Sequence, residues 1–283
     1  WDNRKSRTAP KGKRRGTGVA LAAHISGLLG TGAIIRVFED GSVALNTGAV
    51  DIGQGSDTVL SQMCAEALKI PLEKVSLASP DTDGSPYNWG TTASRVTYTT
   101  GRAVVGAAAE VEKQLKEHAA QMLECSEMDL ELRPGGIVGV SGSDKEVSFH
   151  QISLRAHWAA GGPSVGHHTW VFNQPTVDPK RAVCSGIPFP QVGVFSFGCL
   201  IVDTLTDEAS GKTEVVEAWS AVDVGRAINP SSVEGQIVGG FVQGMGFALT
   251  EEMVWDGAKL ANPTLLDYKV PTALDTPYDI HSI

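Results

Sequence analysis

Hydrophobic and polar positions alternate along two pairs of segments, and each pair flanks a tight turn. Residues 32–47 read GAIIRVFEDGSVALNT, where two β-rich runs surround the dipeptide Asp40-Gly41. This dipeptide between alternating runs is a strong signal for a β-hairpin. A second hairpin is predicted over Phe197–Thr206 and Thr213–Val222, with its turn between them.

Apolar residues recur at helical spacing in three longer segments. The predicted helices run over about Ser56–Lys69, Arg95–Met122 and Ser232–Glu252. Ser231 and Glu234 have the spacing of a capping box, which predicts that the third helix begins just after Ser231.

The remaining predicted elements are short and irregularly placed. They are a strand near Val75–Ala78, a strand at Ile137–Val140, a helix at Phe149–Ala159, a long loop containing His167 and His168, and an extended tail over Pro263–Ile283. Strands and helices without strict alternation predict an α+β fold, with mixed sheets and packed helices. No third metal ligand stands at helical spacing from the two histidines, so a loop pair lining a pocket or surface is favoured over a metal site.

Composition and charge narrow the class of protein. The 283 residues are 42% hydrophobic and 19% charged, with 32 glycines and a net charge of −9. This length is enough for a large core in one or two domains. Residues 1–15 hold seven basic residues against one acidic residue, without aromatic residues interleaved as in nucleic-acid contacts. We therefore expect 1–16 to be a basic connecting segment and 17–283 to fold, divisible into 17–125 with 197–283, and 126–196.

Cysteine spacing and hydropathy exclude further classes. The four cysteines are far apart and form no CxxC pair, which argues against an iron–sulfur or zinc site built by this chain alone. No apolar run is long enough to span a bilayer, and no signal peptide is recognised. A cytoplasmic protein with reduced thiols, without nucleic-acid or membrane partners, is expected.

The first signal for chemistry is the sequence DIGQGSDT at residues 51–58. Gly53 and Gly55 allow the backbone to turn sharply and approach a ligand, and the following helix presents free amides that suit a phosphate. Gln54 adds a side-chain amide that both donates and accepts hydrogen bonds. An ordinary glycine-rich turn with a Ser or Asp cap has the same pattern, so this signal alone is weak.

The second signal is WGTTASR at residues 89–95, where small and hydroxyl residues lead into a predicted helix. Arg95 at the helix start conflicts with the helix dipole, which favours anions there. A bound anion would remove the conflict. The alternative is that Thr and Ser only cap the helix while Arg95 pairs with a carboxylate elsewhere.

The third signal is the run of glycines in the predicted helix after Asp223-Val224-Gly225-Arg226. Five glycines within one helix each cost about 1 kcal/mol relative to alanine, so tertiary contacts must compensate. Gly240, Gly244 and Ala248 form a small-residue stripe that permits close approach of a backbone, a helix or a cofactor. Taken alone, this stripe favours tight helix packing.

Taken together, these motifs resemble the large molybdenum subunit of the xanthine dehydrogenase and aldehyde oxidoreductase superfamily. DIGQG, PYNWGTTASR, DVGRAINP with EGQIVGGFVQGMG, and LDYKVPTALD occur here in that family's order. The resemblance covers nearly the whole chain and is weakest over 126–192. It identifies the chain with the second half of that subunit and implies the fold of its molybdopterin-binding domain.

The resemblance also implies site residues. The expected cofactor-binding residues are Gly53, Gln54, Gly55, Thr92, Ala93, Ser94, Arg95 and Gln236. The motif with the general-base glutamate is expected beyond Ile283, so no catalytic residue and no metal ligand is assigned within the chain.

The implied function is part of a molybdenum hydroxylase, a molybdenum-dependent oxidoreductase. It would bind molybdopterin, in the mononucleotide or cytosine dinucleotide form, and support water-derived hydroxylation of an aldehyde or an N-heterocyclic or aromatic substrate. Implied partners are the missing first half of the subunit, and iron–sulfur and FAD domains or subunits; the chain alone is expected to be inactive. The alternative is an isolated module for a phosphate ligand or for a subunit interface, without turnover.

Overall fold

The computed structural model describes residues 7–27, 29–159, 161–171, 183–184, 187–188 and 194–283. Within these ranges the α-helices are α1 (Ser56–Leu68), α2 (Gly101–Leu123), α3 (Phe149–Ala159) and α4 (Pro230–Leu249). The strands are β1 (Lys13–Ser26), β2 (Thr31–Val37), β3 (Val43–Thr47), β4 (Val75–Leu77), β5 (Leu130–Arg133), β6 (Ile137–Val140), β7 (Glu146–Ser148), β8 (Val165–Trp170), β9 (Val183–Cys184), β10 (Ile187–Pro188), β11 (Val194–Asp207), β12 (Thr213–Val222), β13 (Trp255–Asp256), β14 (Lys259–Leu260) and β15 (Asp279–Ser282). Short 3-10 helices lie at Leu72–Lys74 and Glu127–Asp129, and a π-helical turn at Val96–Thr100 precedes α2. Mixed sheets with packed helices confirm the predicted α+β class.

The chain divides into two compact units. The terminal unit consists of Trp1–His24 and Ser196–Ile283, and the central unit consists of Ile25–Phe195. This division differs from the predicted one, because residues 25–125 share a unit with 126–195 rather than with 197–283. The physical reason is that one continuous core joins Ala33 of β2 to Val138 of β6.

The main sheet of the central unit has the order β4-β3-β2-β8. The β2–β3 hairpin is the predicted one, and its alternating burial shows that one face packs on the core. At the turn, the Asp40 carboxylate accepts hydrogen bonds from the Ser42 amide and hydroxyl, and Gly41 has the left-handed φ of 78° that such a turn requires. The pairing of β2 with β3 and the residues of the turn are therefore both those of the predicted hairpin.

Two helices pack on this sheet. The predicted apolar faces are buried, as Leu60 and Leu68 of α1 and Val111 and Leu115 of α2 show. The side-chain amide of Gln114 on α2 pairs with both backbone groups of Val165 on the edge strand β8. That contact covers part of an edge that would otherwise offer free backbone groups to another strand.

The terminal unit is a four-stranded sheet of order β1-β11-β12-β15 with α4 on it. The predicted second hairpin is confirmed, with Thr206 opposite Thr213 next to the turn. Phe241 and Met245 of α4 are buried in a small core with Ala218 of β12. Of the tail predicted to be extended, residues 264–267 and 273–275 form turns, and only Asp279–Ser282 is a strand.

From residue 7 onward, the predicted basic connecting segment is paired with acidic groups of the terminal unit. Strand β1 begins at Lys13, inside the predicted connecting segment. Arg15 donates to the buried Asp203 carboxylate at 2.9 Å, and Arg7 and Arg14 pair with carboxylates on β12 and in the β11–β12 turn. Arg7, Arg14 and Arg15 thus each have an acidic partner in this unit.

Two further predictions are wrong in the structure. His167 and His168 lie in strand β8, opposite Ile34 and Ala33, and not in a loop. Helix α4 begins at Pro230 with Asn229 as its N-cap, whose side chain accepts from the Ser232 amide at 3.1 Å. Asn229 followed by proline in the first turn replaces the predicted capping box, and proline suits that position because its missing N–H has no helical partner there.

Within the described ranges, no helix combines the length and hydropathy needed to cross a membrane. Over the same residues, no three histidine, cysteine, aspartate or glutamate side chains are grouped so that they could hold a metal ion.

Candidate functional site

The turn before α1 is built around two left-handed glycines. Gly53 has φ 100° and Gly55, the N-cap of α1, has φ 81°, conformations that favour glycine. The Asp51 carboxylate accepts hydrogen bonds from the amides of Gly53 at 2.8 Å and Asp57 at 3.1 Å. These amides, Asp57 foremost, lower the pKa of Asp51 from its ordinary value. The carboxylate of Asp51 therefore stabilises the turn to which it belongs, and Gly53 remains exposed.

Gln54 lies between these glycines, and only the oxygen of its side-chain amide has a hydrogen-bond partner in the part of the chain that the structure describes. Its Oε1 accepts from the Ile52 amide at 2.7 Å. Its Nε2 is buried, and among the described residues of its unit it has no hydrogen-bond partner. A buried donor without an acceptor costs about 1–3 kcal/mol. A ligand oxygen at this point would remove that cost.

The second predicted loop lies directly against this turn. The Thr91 hydroxyl accepts from the Val50 amide at 3.1 Å and donates to the Val50 carbonyl at 2.8 Å. Since Val50 precedes Asp51, the structure brings together two of the three predicted signals. Thr92 and Ser94 of this loop are exposed, so their polar groups face outward.

Ala93 and Ser94 both have left-handed backbone conformations, with φ of 47° and 48°. A non-glycine residue in that region costs about 1–2 kcal/mol, and two in succession are rare. Such strain persists only where surrounding contacts impose it, and it is concentrated at functional sites in proteins. The loop is therefore held in a shape that it would not adopt alone.

Arg95 is completely buried beneath the loop. Its guanidinium donates to Asn88 Oδ1 at 2.8 Å and to the carbonyls of Gly90 at 3.1 Å, Gly30 at 3.0 Å and Leu29 at 3.3 Å. Burial lowers the pKa of Arg95 from its ordinary value, although an arginine stays protonated at neutral pH. The positive charge of Arg95 near the helix start is thus stabilised by protein oxygens, and not by the bound anion that the sequence suggested.

This placement gives Arg95 a role that the sequence did not predict. Its guanidinium is engaged by four protein oxygens that hold the loop, while its direct binding of the cofactor stays a prediction. The predicted helix also starts later, because the α-helix begins at Gly101 after the π-helical turn. Asn88 was missed by the sequence reasoning, although an asparagine two residues before a glycine is a usual signal for a side-chain-capped turn.

Gln236, the third predicted site, belongs to the terminal unit. It is exposed, and it lies within the first two turns of α4. Along the same helix, a Cβ built on Gly235, Gly239, Gly240 or Gly244 would find no described atom of its own unit within 4 Å. The small-residue face of α4 therefore remains open in that unit.

Comparisons with known proteins agree with this description. A family model described as a molybdopterin cofactor-binding domain matches residues 1–277. The xanthine dehydrogenase molybdenum-binding subunit of Escherichia coli O157:H7 is 35% identical over 275 residues, which span 93% of this chain and 34% of the relative. The nicotine 6-hydroxylase large subunit of Paenarthrobacter nicotinovorans is 32% identical over 271 residues, spanning 94% of this chain and 32% of the relative. The crystal structure of quinoline 2-oxidoreductase from Pseudomonas putida 86 matches with a TM-score of 0.81 at 28% identity, covering 96% of this chain and 35% of that one.

The fold and the paired glycine-rich and hydroxyl-rich turns define a cofactor-binding domain of the α+β class. The chain belongs to the molybdopterin cofactor-binding domain family, within the xanthine dehydrogenase group. The resemblance noted from the motifs is therefore confirmed. The chain spans about one third of the length of the curated relatives it matches.

Proposed function

We propose that the chain forms one wall of a molybdopterin site in a molybdenum hydroxylase. The observation that carries the proposal is the buried, unpartnered Nε2 of Gln54, beside the exposed left-handed turn at Gly53. A Cβ at Gly53 would meet no described atom within 4 Å, so a ligand has room to approach the backbone there. Exposed Thr92 and Ser94 on the adjoining loop add donors and acceptors for the pterin or its phosphate.

The proposed roles follow from these positions. Gly53, Gln54 and Gly55 would bind through the turn, and Thr92, Ala93 and Ser94 through the loop. A cofactor-binding role for Gln236, in the terminal unit, is proposed on the resemblance alone. When bound, the molybdenum cofactor supplies the oxidation–reduction chemistry, while the protein binds and orients it. We assign no general base within this chain.

The whole enzyme would carry out water-derived hydroxylation of an aldehyde or an N-heterocyclic or aromatic substrate. The names of the relatives, which include a xanthine dehydrogenase subunit and a nicotine hydroxylase subunit, support this class. Iron–sulfur and FAD domains or subunits and the first half of the molybdenum subunit would be its partners, in the cytoplasm. The cofactor would be the mononucleotide or the cytosine dinucleotide form.

The proposal is tested by co-expressing the chain with the rest of the molybdenum subunit and its partners. Molybdenum is counted per assembled complex, and released CMP identifies the dinucleotide. We expect about one molybdenum per complex, and a clear loss in Gln54→Ala and Gln236→Ala. Gln114→Ala, which changes a glutamine outside the turn and the loop, is the control and should retain molybdenum. An assembled wild-type complex without molybdenum would refute the proposal.

One observation favours a second candidate, a subunit-interface module without turnover. Next to the open glycine face of α4 runs a groove between α4 and strands β11 and β12, lined by apolar side chains such as Leu200, Val202 and Phe241. Exposed apolar grooves of this kind often mark protein contacts. On this hypothesis Gly240→Leu abolishes assembly, while Gln54→Ala and Gln236→Ala leave molybdenum retention unchanged.

A further inference from the structure

We propose that Asn88 and Arg95 are positioning residues, which set the loop Gly90–Ser94 in its ligand-binding conformation before any ligand arrives. The inference rests on the proposed function, because it takes the molybdenum cofactor as the ligand of that loop. It differs from direct binding, since neither residue is required to touch the cofactor.

The Asn88 carboxamide uses its full hydrogen-bonding capacity within the protein. Its Oδ1 accepts from the Gly90 amide at 2.8 Å and from Arg95 at 2.8 Å. Its Nδ2 donates to the hydroxyls of Thr31 at 2.9 Å and Thr100 at 3.3 Å. Two lone pairs and two protons are thus all engaged, which is the maximum for an asparagine.

These partners belong to rigid elements. Thr31 and Thr100 are fully buried, one at the start of β2 and the other at the end of the π-helical turn. The Gly32 amide also donates to the Tyr87 carbonyl at 2.8 Å, so the chain just before the loop is paired with β2. Asn88 therefore connects the first residue of the loop to the central sheet and to the start of α2.

Arg95 connects the other end of the loop to a neighbouring segment. Its guanidinium bridges the Gly90 carbonyl to the carbonyls of Leu29 and Gly30, just before β2. Between these two anchors the chain passes through the consecutive left-handed residues Ala93 and Ser94. Because that backbone is unfavourable by itself, loss of either anchor should let the loop relax, and the ligand would then have to order it on binding.

The test measures hydrogen exchange of the backbone amides of residues 90–95 in the full ligand-free chain, in Arg95→Lys and Asn88→Asp. Lysine retains the charge but cannot bridge the same set of oxygens. Aspartate retains the acceptor for Gly90 and Arg95 but loses the donors to the two threonines. Asn262→Asp is the matched control, because Asn262 also uses both ends of its carboxamide, in the terminal unit.

We expect exchange of the two hydrogen-bonded loop amides, those of Gly90 and Arg95, to rise about tenfold or more in both variants, while amides in the middle of α2 exchange as in wild type. In the assembled enzyme, molybdenum retention should fall by a similar factor, and Asn262→Asp should change neither measurement. Should Arg95→Lys fail to fold, the near-isosteric Asn88→Asp decides the question alone.

Three results would overturn the inference. They are unchanged loop exchange in the variants, a rise shared equally by α2, and normal molybdenum retention despite a loosened loop. If wild type itself retains no molybdenum, the proposed function fails, while the exchange data still show whether the two residues order the loop.

Discussion

Replacing Gln54 by alanine should leave the ligand-free protein about as stable as wild type or more stable, while weakening cofactor binding strongly. The mutation removes the hydrogen bond from the Ile52 amide to Oε1, whose net contribution is about 0.5–1.5 kcal/mol. It also removes the buried Nε2, whose unpaired state costs about 1–3 kcal/mol. These effects have opposite signs, and together they place the change in the free energy of unfolding between a fall of about 0.5 kcal/mol and a rise of about 2.5 kcal/mol.

Binding should respond differently, because the same Nε2 becomes a used donor when the ligand is present. A hydrogen bond to a charged acceptor contributes about 1.5–3 kcal/mol, which corresponds to roughly 10- to 150-fold in the dissociation constant. The two measurements should therefore separate. The free energy of unfolding should stay the same or rise, while the retained molybdenum falls strongly.

Gln114→Ala is the control with the reverse pattern. Both ends of its carboxamide are used, with Nε2 donating to the Val165 carbonyl at 2.7 Å and Oε1 accepting from its amide at 3.0 Å. Losing both bonds should destabilise the central unit by about 1–3 kcal/mol, or roughly 2–10 °C in Tm, without lowering cofactor retention.

The assays are urea unfolding of the ligand-free chain, followed by circular dichroism, and molybdenum analysis of the assembled enzyme. The reasoning is refuted if Gln54→Ala destabilises the ligand-free chain as much as Gln114→Ala does. It is equally refuted if the Gln54→Ala enzyme retains molybdenum like wild type.

Three other predictions follow from the central unit. Burial raises the pKa of Cys64 to about 12. At pH 8 the folded chain should therefore be alkylated at the half-buried Cys125 and not at Cys64. Equal labelling of the two cysteines in peptide mass spectra would contradict this. In Gly166→Ala the new Cβ would overlap the backbone oxygen of Ala107 in α2, so the free energy of unfolding should fall by more than about 3 kcal/mol. Gly84→Ala is the control: its nearest atom would lie at 3.4 Å, so denaturant titration should show a loss of less than about 1 kcal/mol. Backbone amides lower the pKa of Asp51 in the folded state, so its contribution to stability is complete above the ordinary carboxyl pKa of about 4 and is lost as the pH falls below it. Asp51→Ala should therefore lose less stability than wild type between about pH 5 and pH 2.5. If the variant and wild type lose the same stability over this pH range, Asp51 does not have this role.

Local sequence was enough to place most elements of the fold. The hairpin around Asp40-Gly41, helix α1 and the short helix α3 appear where periodicity and turn chemistry predicted them. These signals are contained within about ten to twenty consecutive residues, so no distant contact is needed to read them. The close agreement at Ile137–Val140 has the same origin.

Other features depend on residues far apart in the chain. His167 and His168 form a strand because β2 pairs with them and α2 packs on them, and the local sequence VGHHTW does not indicate this. The terminal unit joins the two ends of the chain, with β1 beside β11, so its composition could not be read from a linear division.

In the candidate site, too, some features follow from the local sequence and others depend on the tertiary structure. Motif and spacing by themselves determined where the candidate turns lie, since the glycines at 53 and 55 and the hydroxyl-rich residues 91–94 are local features of the sequence. Only the tertiary structure decided what the side chains between them do. Gln54 retains an unused donor because burial removes water without supplying an acceptor, and Arg95 lies beneath the loop because carbonyls from residues 29 and 30 come within reach only after folding. Hydrogen-bond partners distant in sequence, and the exclusion of water around them, are set by packing and are not written in any local pattern.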